Sequence, residues 1–333
     1  MSSRSLVVLP DDTAQPIVAA IDRAQRSVRV KMFVFSAPPL IDALIAARRR
    51  NVDVRVMLNP ERRSGEEENA ATRSALQAAD VEVVDSNPAF VLTHEKSMVV
   101  DDETAFVKSL NWTTKNFTET RDYAIATTHH KEVREIADCF DADWSRQPFD
   151  PGENSSLIWC PRYGREPICR FIDAAKHTLF VQNERYQDMV VIERLVRAAR
   201  RGVHVRAMVR PPHTLKMDKL VEGVGGLRIL DDVGVKVHKL HHLKLHGKMF
   251  VADEKAAIVG SINLAPGSLD GRRELAIEVD DRAIVERLRE IAHHDWTHST
   301  PLDLSDSGLE ADIGHRAGAE NLLALDPKRK GRT

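Results

Sequence analysis

The sequence is poor in the residues that advertise a function. Of 333 residues only three are cysteine, Cys139, Cys160 and Cys169. An odd number with no C-x-x-C spacing gives neither a disulfide framework nor a cysteine zinc site, and fits a reducing compartment. Aromatic residues make up only 5%, too few to suggest a base-stacking surface. The formal net charge is −2, so no bulk positive field marks a general nucleic-acid binder. Long apolar runs are missing as well. The one near the start, Leu6 to Leu9 ahead of Pro10, is too short for a signal segment, and nothing longer suggests a membrane span. The expectation is a cytoplasmic chain in which the sequons at Asn111, Asn116 and Asn154 carry no glycan.

What is present is a foldable composition, 42% hydrophobic and 29% charged, long enough for two ordinary domains. It is also a repetition. "SLVVLP" at Ser5 matches "SLIWCP" at Ser156, and "PIVAAID" at Pro16 matches "PICRFID" at Pro167. "ARRRNVDVRVM" at Ala47 matches "AARRGVHVRAM" at Ala198, all at an offset of 151. Further on, His94/His246, Lys96/Lys248, Asp101/Asp253, Ser109/Ser261, Asn111/Asn263, Arg121/Arg273 and Asp122/Glu274 keep an offset of 152. One residue of slippage across a whole domain describes a tandem duplication. The polar "QPFDPGENSS" from Gln147 to Ser156 is the natural boundary. The division expected is a first repeat over 1–150, a second over 155–298, and a polar tail over 299–333.

Each half alternates strand-like and helical patterns. Val28–Phe35, Asp53–Leu58 and Val81–Asp85 read as strands, with a helix from Leu40 to Arg50 between the first two. Thr178–Gln182, Val203–Val209 and Leu227–Leu230 are the corresponding strands of the second copy. Such alternation predicts α/β halves, each a mixed sheet covered by helices. The clusters Arg48–Arg50 and Arg200–Arg201 end helices, where cations suit the dipole.

The motif written twice is "HEKSMVVDD" at His94 and "HGKMFVADE" at His246. A strand from His94 to Val100 places His94 and Lys96 on one face. A turn at Asp101–Glu103 and a return strand to Ser109 bring Ser109 and Asn111 to the same edge. His246, Lys248, Ser261 and Asn263 do likewise. Lysine offers a point charge to a phosphate, and serine and asparagine offer neutral donors. An imidazole either attacks phosphorus or delivers a proton. Cleaving a phosphodiester needs both of those jobs, which two histidines on opposite sides of the phosphorus can divide.

These residues resemble the phospholipase D superfamily, in its bacterial phospholipase D and cardiolipin synthase-like branch, over roughly residues 5–297. The resemblance implies two pseudo-twofold-related αβα sandwich halves and metal-free phosphodiester cleavage through a covalent phosphohistidine. It implies catalytic roles for His94, Lys96, Asp101, His246, Lys248 and Asp253, and phosphate binding by Ser109, Asn111, Ser261 and Asn263. It also implies that Glu274 orients His94 while Asp122 orients His246, each across the halves. By family habit His94 is the nucleophile and His246 the general acid. The turn position of Asp101 and Asp253 argues instead for structural ion pairs. Two departures stand out: Lys108 where the second copy has Gly260, and Asp122 where it has the longer Glu274.

No cofactor or metal is expected. His242-x3-His246 has a ligand-like spacing, but a strand-like segment does not put positions i and i+4 on one face. His129-His130 and His293-His294 read as solvated helix positions. The substrate expected is a phospholipid, hydrolysed or used as a phosphatidyl donor, with peripheral contact at a membrane surface. Phe90, Val91, Leu92, Trp112, Leu264 and Leu269 are the apolar residues near the expected mouth. The alternative is a nuclease of the same superfamily, suggested by Lys108, Lys115, Arg121, Lys236, Lys239 and Lys244. A non-catalytic phosphate-binding module is a third reading. Both motifs lie in one chain, so a monomer suffices.

Overall fold

The structure, a computed structural model, describes residues 2–61, 67–151, 156–210 and 217–311. The first half runs β1 (Arg4–Leu9), α1 (Gln15–Arg23), β2 (Ser27–Met32), α2 (Pro38–Arg49), β3 (Asp53–Leu58), α3 (Ala70–Gln77), β4 (Glu82–Asp85), β5 (Leu92–Thr93), β6 (Ser97–Val100), β7 (Thr104–Lys108), α4 (Thr114–Thr118), β8 (Thr120–Thr127) and α5 (His130–Trp144). The second runs β9 (Leu157–Cys160), α6 (Arg165–Ala174), β10 (Thr178–Asn183), α7 (Met189–Arg200), β11 (His204–Val209), α8 (Met217–Asp232), β12 (Lys236–Leu240), β13 (Lys244–Leu245), β14 (Lys248–Ala252), β15 (Ala256–Gly260), α9 (Pro266–Gly271), β16 (Arg272–Val279), α10 (Arg282–Thr297) and β17 (Ser299–Pro301).

Local chemistry sets these elements. In α2 the buried Leu40, Ala43, Leu44 and Ala47 recur at helical spacing behind a Pro38-Pro39 start. In α7 Val191, Ile192, Leu195 and Ala198 do the same, and the Asp188 carboxylate caps the Val191 N–H at 3.1 Å. Such a face, not propensity, holds helices of this length. Each Ile, Leu or Val sealed in it contributes about 1.5–3 kcal/mol.

The two sheets share one plan. The first has the order β1-β8-β7-β6-β2-β3-β4; the second continues β16-β15-β14-β10-β11-β12, with β9 on the outer side of β16 and β17 beyond β12. Pairing is parallel among β2, β3 and β4 and among β10, β11 and β12, and antiparallel elsewhere along these paths, so both sheets are mixed. One face of each sheet meets its own outer helices, through Ile17, Ile21 and Leu44 in the first half and Ile172, Ile192 and Leu195 in the second. The other faces share a central core. Val99, Val107 and Ile125 pack there with Val259, Leu275 and Ile277, and with Ile136 of α5 and Leu288 of α10. The result is two α/β halves with helices on both faces of mixed sheets, joined back to back.

Three expectations need correction. Leu227–Leu230 is not a strand but part of α8, because Val224, Leu227 and Leu230 are buried at every third residue. The strand lies later, at β12. His94–Lys96 is an extended link between β5 and β6, not the start of one strand. Residues 299–304 are not a polar tail: β17 pairs with β12, and Leu302 and Leu304 enter the second core. Of the expected boundary and tail, residues 152–155 and 312–333 lie outside the described residues.

The halves are also bound by exchanged ion pairs. Arg121 of β8 grips Asp295 of α10, with both partners buried and Nη2–Oδ1 at 2.9 Å. Arg273 of β16 grips Asp143 of α5, again at 2.9 Å. Breaking a buried pair strands its partner's charge, at a cost of about 3–5 kcal/mol. Arg121→Met is therefore expected to lower unfolding stability in urea by about that much, while Arg170→Met, at the exposed Arg170–Glu166 pair, changes it by about 0–1 kcal/mol. Equal effects of the two substitutions would contradict this.

Candidate active site

Each histidine is fixed by the opposite half. β5 pairs in parallel with the start of β16, so the His94 N–H donates to the Arg273 carbonyl at 2.9 Å. β13 pairs likewise with β8, and the His246 N–H donates to the Arg121 carbonyl at 3.4 Å. The next residue of each receiving strand supplies a carboxylate. His94 Nδ1 lies 2.8 Å from Glu274 Oε2, and His246 Nδ1 lies 2.8 Å from Asp122 Oδ1. A carboxylate on Nδ1 fixes the tautomer and leaves Nε2 for chemistry.

The carboxylates are themselves held. Asp122 accepts from the Ser109 and Thr120 hydroxyls, both at 2.6 Å, and from Asn116 Nδ2 at 2.9 Å. This revises the expectation for the serines. A hydroxyl has one proton, and Ser109 gives its proton to Asp122. Ser261 is fully buried and, with Ser268, lies against Glu274. Ser109 thus holds a carboxylate where a phosphate contact was expected, and the Ser261 hydroxyl donates to the Leu275 carbonyl at 3.2 Å. Asn111 and Asn263 differ: each has a buried Oδ1 without a hydrogen-bond partner among the described residues. Lys96 and Lys248 each donate to the carbonyl of their own motif histidine, Lys96 at 2.6 Å.

The motif aspartates lie elsewhere. Asp101 and Asp253 sit past the far ends of β6 and β14, in left-handed turn conformations (φ +55° and +51°). Asp101 accepts from the N–H groups of Gln25, Arg26 and Ser27, and Asp253 from those of Lys176, His177 and Thr178. They cap the entries to β2 and β10 and are removed from the catalytic set.

The two halves are not electrically equal. Lys248 Nζ meets Glu184 Oε2 at 2.6 Å, whereas Lys96 Nζ faces the Phe33 ring at 5.2 Å. Burial lowers the Lys96 amine to about 7 although Glu274 opposes it. Burial, reinforced by Lys96 and Lys248, holds the His94 imidazole well below its ordinary value, so the ring is neutral. Burial also raises the Glu274 carboxyl. For Asp122 burial acts in the same sense but is outweighed by His246, Lys248 and Ser109, so that carboxyl stays ionised. Phe33 and Glu184, 151 positions apart, went unnoticed in the sequence. Their signal is a difference at equivalent places, well upstream of the motif. The Lys108 departure is accommodated by burial: its amine lies 4.2 Å from the centre of the Trp112 ring, and burial pushes it well below the usual lysine range. At Gly260 a Cβ would fall 2.3 Å from the Ala276 Cα, so that position tolerates no side chain.

A cavity of about 550 Å³ opens beside His246, lined by Asn111, Lys115, Asn116, Arg210 and Lys244 among others. A larger cleft of about 1540 Å³, between β1, α1 and the Asp101 turn, contains neither histidine. Of the basic residues considered for nucleic acid, Lys108 and Arg121 are buried, and Lys244 pairs with Glu119. Of the expected apolar mouth, Trp112, Leu264 and Leu269 belong to the cores, and Phe90 packs under the Arg273 guanidinium. Val91 is 70% exposed, and Tyr163, Met189 and Val190, not singled out in the sequence, are exposed too.

The family described as cardiolipin synthase, PLD-like domain, matches the chain twice, over residues 17–144 and 168–296. Cardiolipin synthase B of Salmonella typhi is 25% identical over 234 residues, covering 59% of this chain and 54% of that protein. The chain thus spans about half the length of that relative. Among solved structures, phosphatidylserine synthase of Haemophilus influenzae Rd KW20 superposes with a TM-score of 0.72 at 10% identity, covering 96% of this chain and 94% of the other. Polyphosphate kinase from Porphyromonas gingivalis gives 0.66 at 20% identity, covering 87% and 50%. At such identities these two show a shared fold.

The asymmetry makes a pH profile informative. Lys96 can neutralise a phosphate only while protonated, so kcat/KM is expected to fall as pH rises through about 7. No acid limb is expected at the ordinary histidine value, because His94 is already neutral there. Phe33→Glu, which gives Lys96 the partner that Lys248 has, should move the alkaline limb up by about one unit or more. A limb that Phe33→Glu leaves in place would assign it to another group.

Proposed function

This chain belongs to the cardiolipin synthase, PLD-like domain family, and from that premise we propose that it is a phospholipase D-type phosphodiesterase acting on a phospholipid. The observation that carries the proposal is the crossed pair of histidine–carboxylate contacts at 2.8 Å, one contributed by each half to the other. In the proposed units, residues 1–150 and 155–298, neither half holds a complete histidine site.

The reaction follows from the inequality of the halves. Neutral His94, with Nδ1–H on Glu274, attacks phosphorus through Nε2. His246, backed by the ionised Asp122, gives its Nε2 proton to the departing alkoxide. The product is a phosphohistidine on His94 and a neutral His246. His246 then takes a proton from water or an acceptor alcohol, whose oxygen attacks phosphorus and frees His94. Lys96 and Lys248 neutralise the phosphate oxygens, and the amides of Asn111 and Asn263 offer neutral donors.

A lipid is favoured by the surface. Among the described residues the large exposed apolar side chains are Val91, Tyr163, Met189, Val190 and Ile229. The first four lie near α9. Val91 donates its N–H to the Gly271 carbonyl, and Arg165 ties Asp188, ahead of Met189, to Asp270 of α9. Glu274, the partner of His94, follows α9 by three residues. This apolar rim suits peripheral contact with a lipid surface. Among the described residues no helix is long and apolar enough to cross a membrane. The polar cavity beside His246 suits a headgroup or an acceptor alcohol. Its Lys115, Arg210 and Lys244 are what a nuclease reading rests on.

The experiment offers the protein phospholipid vesicles with a primary alcohol and, separately, a labelled oligonucleotide, both in buffer containing EDTA. The expected products are phosphatidic acid and the phosphatidyl alcohol, with the oligonucleotide intact. Cleaved oligonucleotide with untouched lipid would replace the lipid reading by the nuclease one. Lipid turnover that needs a divalent metal would contradict charge neutralisation by the two lysines.

A further inference from the structure

Where α10 passes the loop between β12 and β13, several imidazoles gather that the proposed chemistry does not use. Two are already engaged. His238 Nδ1 lies 2.8 Å from Ser299 Oγ, its ring stacked on Trp296, and His241 Nε2 contacts Thr300 Oγ1. His242 faces α10 instead. Its Nε2 is 3.8 Å from Asp295 Oδ1, and its ring centre is 5.8 Å from those of both His294 and His298. His294 and His298 sit one helical turn apart, at the end of α10 and its C-cap, with ring centres 4.2 Å apart. One ligand atom from each of His242, His294 and Asp295 lies within 4.8 Å of the others.

We propose that His242, His294 and Asp295, with His298 as a fourth donor, form a binding site for a divalent transition metal of the Zn²⁺ type. The donor chemistry fits. His298 Nδ1 contacts the His294 carbonyl at 2.8 Å. A carbonyl only accepts, so Nδ1 carries the proton and Nε2 presents its lone pair. Tetrahedral bonds of 2.0–2.1 Å place ligand atoms about 3.3 Å apart, so the 3.8 Å between His242 and Asp295 needs to close by about half an ångström. The three imidazoles are exposed, so solvent and not packing lies on the side from which an ion would enter. Asp295 is oriented by Arg121 and by Gln182 Nε2 at 2.9 Å, outer contacts of the kind that position a ligating carboxylate. Imidazoles with one carboxylate select Zn²⁺ over Mg²⁺ or Ca²⁺. The other comparable group among the described residues, Glu95, Cys139 and Asp143, is filled by Lys31, whose Nζ reaches both carboxylates at 2.9 and 2.7 Å.

Such a metal would staple the segment leading to His246 onto α10. His242 lies two positions before β13, and Asp295 holds Arg121, the neighbour of Asp122. The effect expected is on the rigidity of this segment, not on the phosphoryl chemistry.

The test adds ZnCl₂ to the full chain after chelator treatment and dialysis, and follows calorimetric titration and thermal unfolding. One Zn²⁺ per chain is expected, with Tm rising by roughly 5 °C at free Zn²⁺ about 100-fold above Kd. The double substitution His294→Ala/His298→Ala should weaken binding by more than about 100-fold, beyond what loss of an outer contact costs, while its metal-free turnover matches wild type. His293→Ala, on the neighbouring exposed histidine, should bind as wild type does. Failure of the wild-type chain to bind Zn²⁺, or wild-type affinity in the double variant, would overturn the proposal.

Discussion

The structure depends on one exchange between its halves, made at two adjacent residues of β8 and of β16. Arg121 and Arg273 point one way, into the last helix of the opposite half, where Asp295 and Asp143 receive them. Asp122 and Glu274, next in sequence, point the other way and receive His246 and His94. Neighbouring side chains in a strand face opposite sides, so one strand joins the halves on one face and builds the site on the other. The carbonyls of the same two arginines take the N–H groups of the two histidines. The ion pairs that resist separation of the halves thus also set the imidazole geometry. The pseudo-twofold relation of the duplicated halves lets one set of residues satisfy both demands.

Symmetry supplies two histidines but not two roles. In the mechanism proposed, the roles follow from unequal surroundings: an aromatic ring beside Lys96 where Lys248 has a carboxylate, and Glu274 raised by burial where Asp122 is held ionised. A neutral ring is the better nucleophile, and an ionised carboxylate is the partner that a proton-donating ring requires. The inequality lies in a few equivalent positions, Phe33 against Glu184 and Glu274 against Asp122, within halves of the same plan.

Much of this was legible in the sequence because the offset is nearly constant. His94 and His246, their lysines, Asn111 and Asn263, and the pair Asp122/Glu274 could be picked out as a set, and the alternation of elements gave the fold class. What misled was linear proximity. Asp101 and Asp253 belong to the written motif, yet strands of four and five residues carry them to the other end of the sheet. Ser109 and Ser261 offered donors on paper, but the Ser109 proton goes to the Asp122 carboxylate and that of Ser261 to the Leu275 carbonyl. Leu227–Leu230 is too short an apolar run for its period to be told from a strand's without Val224. Arg121–Asp295 and Arg273–Asp143 keep the offset of 152, but nothing local joins residues that far apart. The spacing His242-x3-His246 joins nothing here: His246 turns to Asp122, and His242 faces His294 and Asp295 of α10.

The division of labour proposed for His94 and His246 is tested most directly by intact-mass spectrometry after a rapid quench, using a phosphodiester with a good leaving group. With His246→Ala the adduct should accumulate on His94, because such a leaving group departs without a proton donor, and the His94→Ala protein should carry none. An adduct on His246 in the His94→Ala protein would reverse the roles, and no adduct in any variant during turnover would remove the covalent mechanism.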